Sequence, residues 1–297
     1  MVVVSGFMKP TNKVIVMGKP EIQEYQAEEA GFVPGMTVMT GTTQDECKIG
    51  SFTGGIIGFC GYEQSYQGGN DSTSIYTKNR PEGLTAAYAD NAKIPVLFGG
   101  NFVLLTKMYA GSAAIKGDDL AAFAGGRLVA GKMTKDGFAV RLPFTKSTTE
   151  VSTGFVLPAG AIVNDVFIEV STAVAESTID IGILSTENGG DADGFVDGES
   201  CAATGRVQHV NGNATAENNT LGALLVVADI KDATSPANYY SVPKQHIGDG
   251  VAKTITYTTS NHTIAGNIFV VIDGLQIVAK AVETVTAGAD VMAQSMI

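Results

Sequence analysis

The chain has no tryptophan, three cysteines and three histidines, and charged residues make up only 16% of its 297 positions, against about 25% in an average globular protein. Each shortage excludes something. Cys47, Cys60 and Cys201 are odd in number and contain no C-x-x-C pair, which argues against a disulfide framework and against a zinc site. They read as small buried hydrophobes, the expected state in a reducing cytoplasm. His209, His246 and His262 stand far apart, with no H-x-H, HExxH or Cys/His cluster, and read as ordinary surface or sheet residues. Lys and Arg number 19 against 30 Asp and Glu, a net charge of −11 with no basic cluster. Such a chain repels phosphate backbones, so no direct nucleic-acid partner is expected. The longest apolar stretch, Ile94 to Leu105, is interrupted by Pro95, Gly99, Gly100 and Asn101. That is too short and too broken to cross a bilayer, so no membrane partner is expected either. The opening MVVVSGFMKPTNK has no basic region followed by a long apolar run, so no secretion signal is expected. The N-x-S/T matches at Asn70, Asn213, Asn218 and Asn261 then carry no weight.

Catalytic signatures are scarce as well. There is no G-x-S-x-G elbow, and the Gly-rich GGIIGFCG around Cys60 lacks the Lys and the spacing of a phosphate loop. It reads as a strand crowded against another backbone. The carboxylate pairs Glu28-Glu29 and Asp118-Asp119 are sequence neighbours, which suits solvated charge better than an acid and a base facing across a cleft. No catalytic residue, no cofactor and no enzymatic activity are expected.

What is present is glycine, 36 of them, and a 44% apolar content with a mean hydropathy of +0.16. A core is easily supplied, and the length allows two domains. The low charge suggests that part of the surface is hidden in an oligomer or on a partner. A short phrase recurs: GFVPGMTVM, AAIKGDDLAAF and TVTAGADVMAQ. Each has an apolar or β-branched lead-in, a Gly, a small or acidic residue, and a strand-like run. Gly there supplies the positive φ of a tight turn.

Up to about Lys135 the chain is a series of short β runs. IPVLFGGNFVLLT reads as two strands joined by a hairpin turn at Gly99-Gly100-Asn101. A second hairpin starts at Gly117 to Leu120, turns at Gly125-Gly126 and returns through RLVAGKM. Gln67 to Gly83 is polar and turn-rich and reads as an exposed loop or arm, and Met1 to Lys13 as an arm that orders on binding. The helix candidates are Glu21 to Ala30, with good formers but a weak apolar face, and Asp118 to Ala124, where flanking glycines favour a strand.

From Gly137 the strands lengthen and alternate. Val166, Ile168 and Val170 oppose Phe167, Glu169 and Ser171, and Ile179, Ile181 and Ile183 share one face. The expected fold is therefore mainly β. A small barrel-like (β-tulip-like) domain over 1–136 is followed by an antiparallel, jelly-roll-like β-sandwich over 137–297. The final AGADVMAQ strand is expected to return to the first domain.

One loop stands out as a metal candidate. GGDADGFVDGES places Asp191, Asp193 and Asp197 at short spacing with Gly194 between them, hard oxygen ligands of the kind calcium loops use. The pattern lacks the closing Glu and the flanking helices of an EF-hand, so no metal is assigned to it, and an exposed β-turn loop in which Asp and Gly do ordinary turn work is the preferred reading.

The segments PGMTVMTG, CKIGSFTGGIIGFCGYEQ and NAKIPVLFGGNFVLLTKMYAGSAAIKGDDLAAFAGGRLVAG together resemble the head decoration, or capsid cement, proteins of tailed bacteriophages. The shared rhythm falls on Pro34-Gly35, Gly54 to Phe59, Ile94 to Gly99 and Ala114 to Leu120, and covers about the first 135 residues. The C-terminal part looks like a β-sandwich appendage of phage virion proteins. The resemblance implies a structural virion protein, made in the host cytoplasm and carried on the capsid exterior. It implies a homotrimer that clamps neighbouring subunits of the major capsid protein, with the N-terminal half holding the shell contacts. A glycan-binding adhesion module of a virion or cell surface is the alternative. The lack of Trp, with Tyr239-Tyr240 the sole aromatic pair of the second domain, weighs against it. A major capsid subunit would need a long spine helix that this chain does not offer.

Overall fold

The structure, a computed structural model, describes residues 14–61, 87–207, 221–231, 239–243, 245–260 and 262–297, with only the backbone described for 226–231 and 239–243. The arm Met1–Lys13, the loop Gln67–Gly83 and His209 lie outside the described residues. The fold is mainly β, and the helical pieces among the described residues are the 3-10 turns Ala124–Gly126 and Ala223–Leu225. The chain forms two compact units. The first holds Met1–Tyr109, Ala113–Gly131 and Gly274–Ile297, and the second holds Ala110–Ser112 and Lys132–Asp273.

The first unit opens with β1 (Ile15–Met17), followed by β2 (Glu21–Ala27), β3 (Thr37–Thr40), β4 (Glu46–Ile49), β5 (Ile56–Cys60) and β6 (Lys93–Phe98). Strands β2 to β6 close into a barrel in the order β2-β4-β3-β5-β6. Closure abolishes exposed edges. Its interior is filled by Phe32, Val38, Ile94, Val96, Cys47 and Cys60, all fully buried. Burial pushes the Cys47 thiol up to about 12 and Cys60 well above its ordinary value, so both stay neutral and pack as small hydrophobes. Gly58 explains the glycine-rich run: a Cβ there would stand 2.5 Å from the Leu97 carbonyl oxygen on β6. The run is a strand pressed against its neighbour's backbone.

Strand β2 corrects the helix candidate at Glu21–Ala30. Its residues pair antiparallel with β6 from Glu21↔Phe98 to Gln26↔Lys93 and parallel with β4 at Gln26↔Glu46. Most of its side chains face solvent, so the segment shows no period-2 pattern, and the open edge of β6 overrides its helix propensity. A second correction concerns β6 and β7 (Val103–Lys107). They are strands, but not a hairpin. β6 pairs β2 and β5, while β7 pairs β1 and the C-terminal strand. Three successive left-handed residues, Gly99 (φ 96), Gly100 (φ 67) and Asn101 (φ 56), send the chain from barrel to sheet. The second hairpin forms as expected: β8 (Asp119–Ala122) pairs β9 (Leu128–Thr134) around Ala124–Gly126.

The second unit contains β10 (Gly137–Thr145), β11 (Val151–Leu157), β12 (Ile162–Thr172), β13 (Thr178–Ile183), β14 (Asp191–Ser200), β15 (Gly205–Val207), β16 (Val226–Lys231), β17 (Tyr239–Pro243), β18 (His246–Ile247), β19 (Lys253–Thr259) and β20 (Ala265–Ile272). Two antiparallel sheets, β10-β20-β12-β15 and β11-β19-β13-β14, form a sandwich. Val140, Leu142, Val166, Ile168, Ile268 and Val270 share the buried inner face of the first, and Ile179, Ile181 and Ile183 are buried in the second. Phe144 meets Tyr257 edge-on at 6.1 Å between the two sheets. Burial of each such side chain contributes about 1.5–3 kcal/mol.

The chain then re-enters the first unit as β21 (Ile277–Ala281) and β22 (Asp290–Ser295). These lie in the order β1-β7-β22-β21-β8-β9, with Met292 opposite Leu105.

The recurring phrase is one turn. In Val33–Met36, Ile115–Asp118 and Thr286–Ala289, the first carbonyl accepts the fourth residue's N–H at 2.9–3.2 Å. The third residue is left-handed: Gly35 (φ 89), Gly117 (φ 95) and Gly288 (φ 72). That is the type II pattern. In each case the strand starts at the next residue: Thr37, Asp119 or Asp290. Four further copies lead into strands the same way, at 89–92, 158–161, 174–177 and 187–190, with Asn91, Gly160, Glu176 and Gly189 at the left-handed position.

Candidate functional site

The candidate calcium residues lie on a strand rather than in a loop. Asp191, Asp193 and Asp197 belong to β14, an edge strand whose pairing with β13 shifts register between Ile179 and Ile181 and again between Ile181 and Ile183. Gly198, left-handed at φ 65, donates its N–H to Asp180 at 2.8 Å. A hydrogen bond to Asp193, then burial, raises the Asp191 carboxyl to about 6. Burial, then the charge of Asp193, raises Asp197. Among the described residues, no group of three or more His, Cys, Asp or Glu side chains could hold a metal ion.

The carboxylate pairs have structural partners. Glu28 bonds Lys48 at 2.8 Å and accepts the Thr42 N–H, and Glu29 accepts the Ile49 N–H at 2.9 Å. Together they pin the end of β2 to the β3–β4 hairpin. The Lys48 hydrogen bond holds the Glu28 carboxyl down at about 2. Asp118 accepts the Ile115 N–H at 2.8 Å inside its own turn, and Asp119 lies 3.4 Å from Lys280. The expectation of merely solvated charge is corrected: these acids fasten turns and strand ends. The three cysteines are free and buried. His262 Nδ1 lies 3.4 Å from Ser260 Oγ, and the His246 ring meets Phe195 edge-on at 5.4 Å.

The first unit exposes several large apolar side chains. Met17, Ile22 and Met296 are 52%, 59% and 57% exposed. All three attach within a few residues of the Gly99–Asn101 turn. Met17 pairs with Val103, and Ile22 pairs with Leu97. Met296 precedes Ile297, whose carbonyl accepts the Gly100 N–H at 2.8 Å. A hollow of about 480 Å³ lies there, lined by Gly99, Gly100, Asn101, Gln294, Met296 and Ile297. A flexible, exposed Met296 beside this hollow suits adaptable protein contact better than chemistry. Sequence reasoning missed this grouping because its members come from β1, β2 and the chain's end.

No protein-family model matches the chain. No curated protein matches it either.

Proposed function

We propose that the protein is a structural virion protein of a tailed bacteriophage. It binds the outside of the capsid as a homotrimer and cements neighbouring subunits of the major capsid protein. The observation that carries this reading is the exposure of Met17, Ile22 and Met296, three large apolar side chains attached near the Gly99–Asn101 turn. They sit on the unit whose strands carry the decoration-protein rhythm: the Gly35 turn, β5, β6 and β8. In this role the chain needs no cofactor, nucleic acid or membrane, and it performs no catalysis. It is made in the host cytoplasm and resides on the capsid exterior.

The mechanism is linkage. Contacts that exist only on the expanded shell stabilise that state by mass action, by about 2.7 kcal/mol per site when the free protein is at a hundred times its Kd. The test is light scattering of the purified chain, followed by co-sedimentation with capsids from which it has been removed. A trimer that rebinds supports the role. A stable monomer that ignores capsids and binds a glycan array with calcium would replace it with the adhesion module.

A further inference from the structure

The sheet β10-β20-β12-β15 has a second face with its own chemistry. Ala139, Phe167, Phe269 and Val271 form a separate buried cluster there. The two phenyl rings stack at 4.9 Å and 9°. Cations cover them. The Arg206 guanidinium carbon lies 3.9 Å from the Phe167 ring centre, and Lys132 Nζ lies 4.5 Å from that of Phe269. The Arg141 guanidinium carbon is 5.6 Å from the Phe269 ring. Two of the chain's four arginines thus converge on one aromatic pair in a protein of net charge −11.

Glu169 stands opposite Arg206 in the strand register but bonds Lys132, at 2.6 Å. Among the described residues Arg206 has no carboxylate partner. A guanidinium lying against a ring uses its face and leaves its in-plane N–H donors for an acceptor. Beside it opens a cavity of about 480 Å³ lined by Lys132, Thr134, Lys135, Asp165, Phe167 and Arg206. That volume suits one side chain or small ligand.

We propose that this cavity binds a single carboxylate side chain, a glutamate or aspartate of a partner protein. Arg206 holds it through paired N–H donors. Charge complementarity selects the class. Lys132 is already paired with Glu169 and Lys135 with Asp136, so Arg206 is the cation of the lining left to attract one acid, while Asp136 and Asp165 in the lining and the net negative charge repel a polyanion such as nucleic acid. The buried rings offer no open aromatic platform for a sugar. This inference goes beyond the capsid role and does not depend on it.

The test uses the full chain with ¹³C-methyl methionine, because Met133 lines the cavity and is 56% exposed. The probes are acetyl-Ala-Glu-Ala-amide, its Gln counterpart, and acetate. Saturable movement of the Met133 methyl with the Glu peptide is expected. Binding should be roughly tenfold weaker for the Gln peptide and for Arg206→Gln, with Arg206→Lys recovering only part, as expected for loss of a charge-assisted, bidentate contact. The other methionine methyls report that each variant remains folded. Equal response to the two peptides, no saturation, or unchanged binding by Arg206→Gln overturns the proposal. So does acetate matching the Glu peptide, which would mark an adventitious small-anion site only.

Discussion

Gly35 and Gly117 occupy the same position of the same turn, at φ 89 and φ 95, yet alanine should cost them very different amounts. At Gly117 a Cβ meets nothing within 4 Å. Only the left-handed backbone penalises the substitution, by about 1–2 kcal/mol. At Gly35 the same Cβ would stand 2.5 Å from the Leu105 carbonyl oxygen and 3.3 Å from the Thr106 Cα. Backbone cannot step aside as a side-chain tip can. Relief means moving Gly35 away from two bonds, its N–H to the Cys60 carbonyl and its carbonyl to the Thr106 hydroxyl, both 2.7 Å. Each is worth about 1 kcal/mol. Gly35→Ala therefore loses about 3–4 kcal/mol and Gly117→Ala about 1–2 kcal/mol. At about 2–4 °C per kcal/mol for a unit of this size, Tm falls roughly 6–16 °C and roughly 2–8 °C respectively. Urea unfolding followed by circular dichroism measures both. Equal losses would refute the claim that close backbone approach, and not φ alone, fixes Gly35.

Further outcomes follow from named groups. Glu28 has its carboxyl held down at about 2 by Lys48. Its contribution is therefore complete above the ordinary value of 4.5 and is lost as pH falls toward 2; Glu28→Gln should flatten that acid limb in pH-dependent unfolding. Asp191 is raised to about 6. It favours the fold below 3.8 and loses that contribution as pH rises through 6. Asp191→Asn should then stabilise the chain on the order of 1 kcal/mol at pH 8, after solvent screening, and leave it unchanged at pH 3. Glu176 is a non-glycine residue at φ 62, so Glu176→Asn should hold or raise Tm, and a clear fall would contradict the shared turn. Met17→Glu with Ile22→Glu should leave folding intact, since both are exposed, and abolish rebinding to capsids.

The turn was legible in the sequence where glycine filled the left-handed position, because few other residues tolerate it. At 89–92 and 174–177 the same turn uses Asn91 and Glu176, and no glycine marks it. The sandwich strands were legible because Ile179, Ile181 and Ile183 bury one face. Strand β2 was not, because a mostly solvent-facing strand has no alternation to read. Phe167 shares its face of β12 with Glu169 and Ser171, so nothing in the sequence marks that face as buried. Its burial depends on Lys132 from β9, Phe269 from β20 and Arg206 from β15, which only the strand register brings together. The acidic run of β14 read as a loop because its bulged pairing breaks the period of two.

The most direct test of the cement role is calorimetry of capsids stripped of this protein, with and without the purified chain added back. If the chain clamps neighbouring major capsid subunits, the melting temperature of the shell rises with added protein and saturates at a fixed ratio of chain to subunit. An unchanged melting temperature, with the chain left in the supernatant, would contradict it.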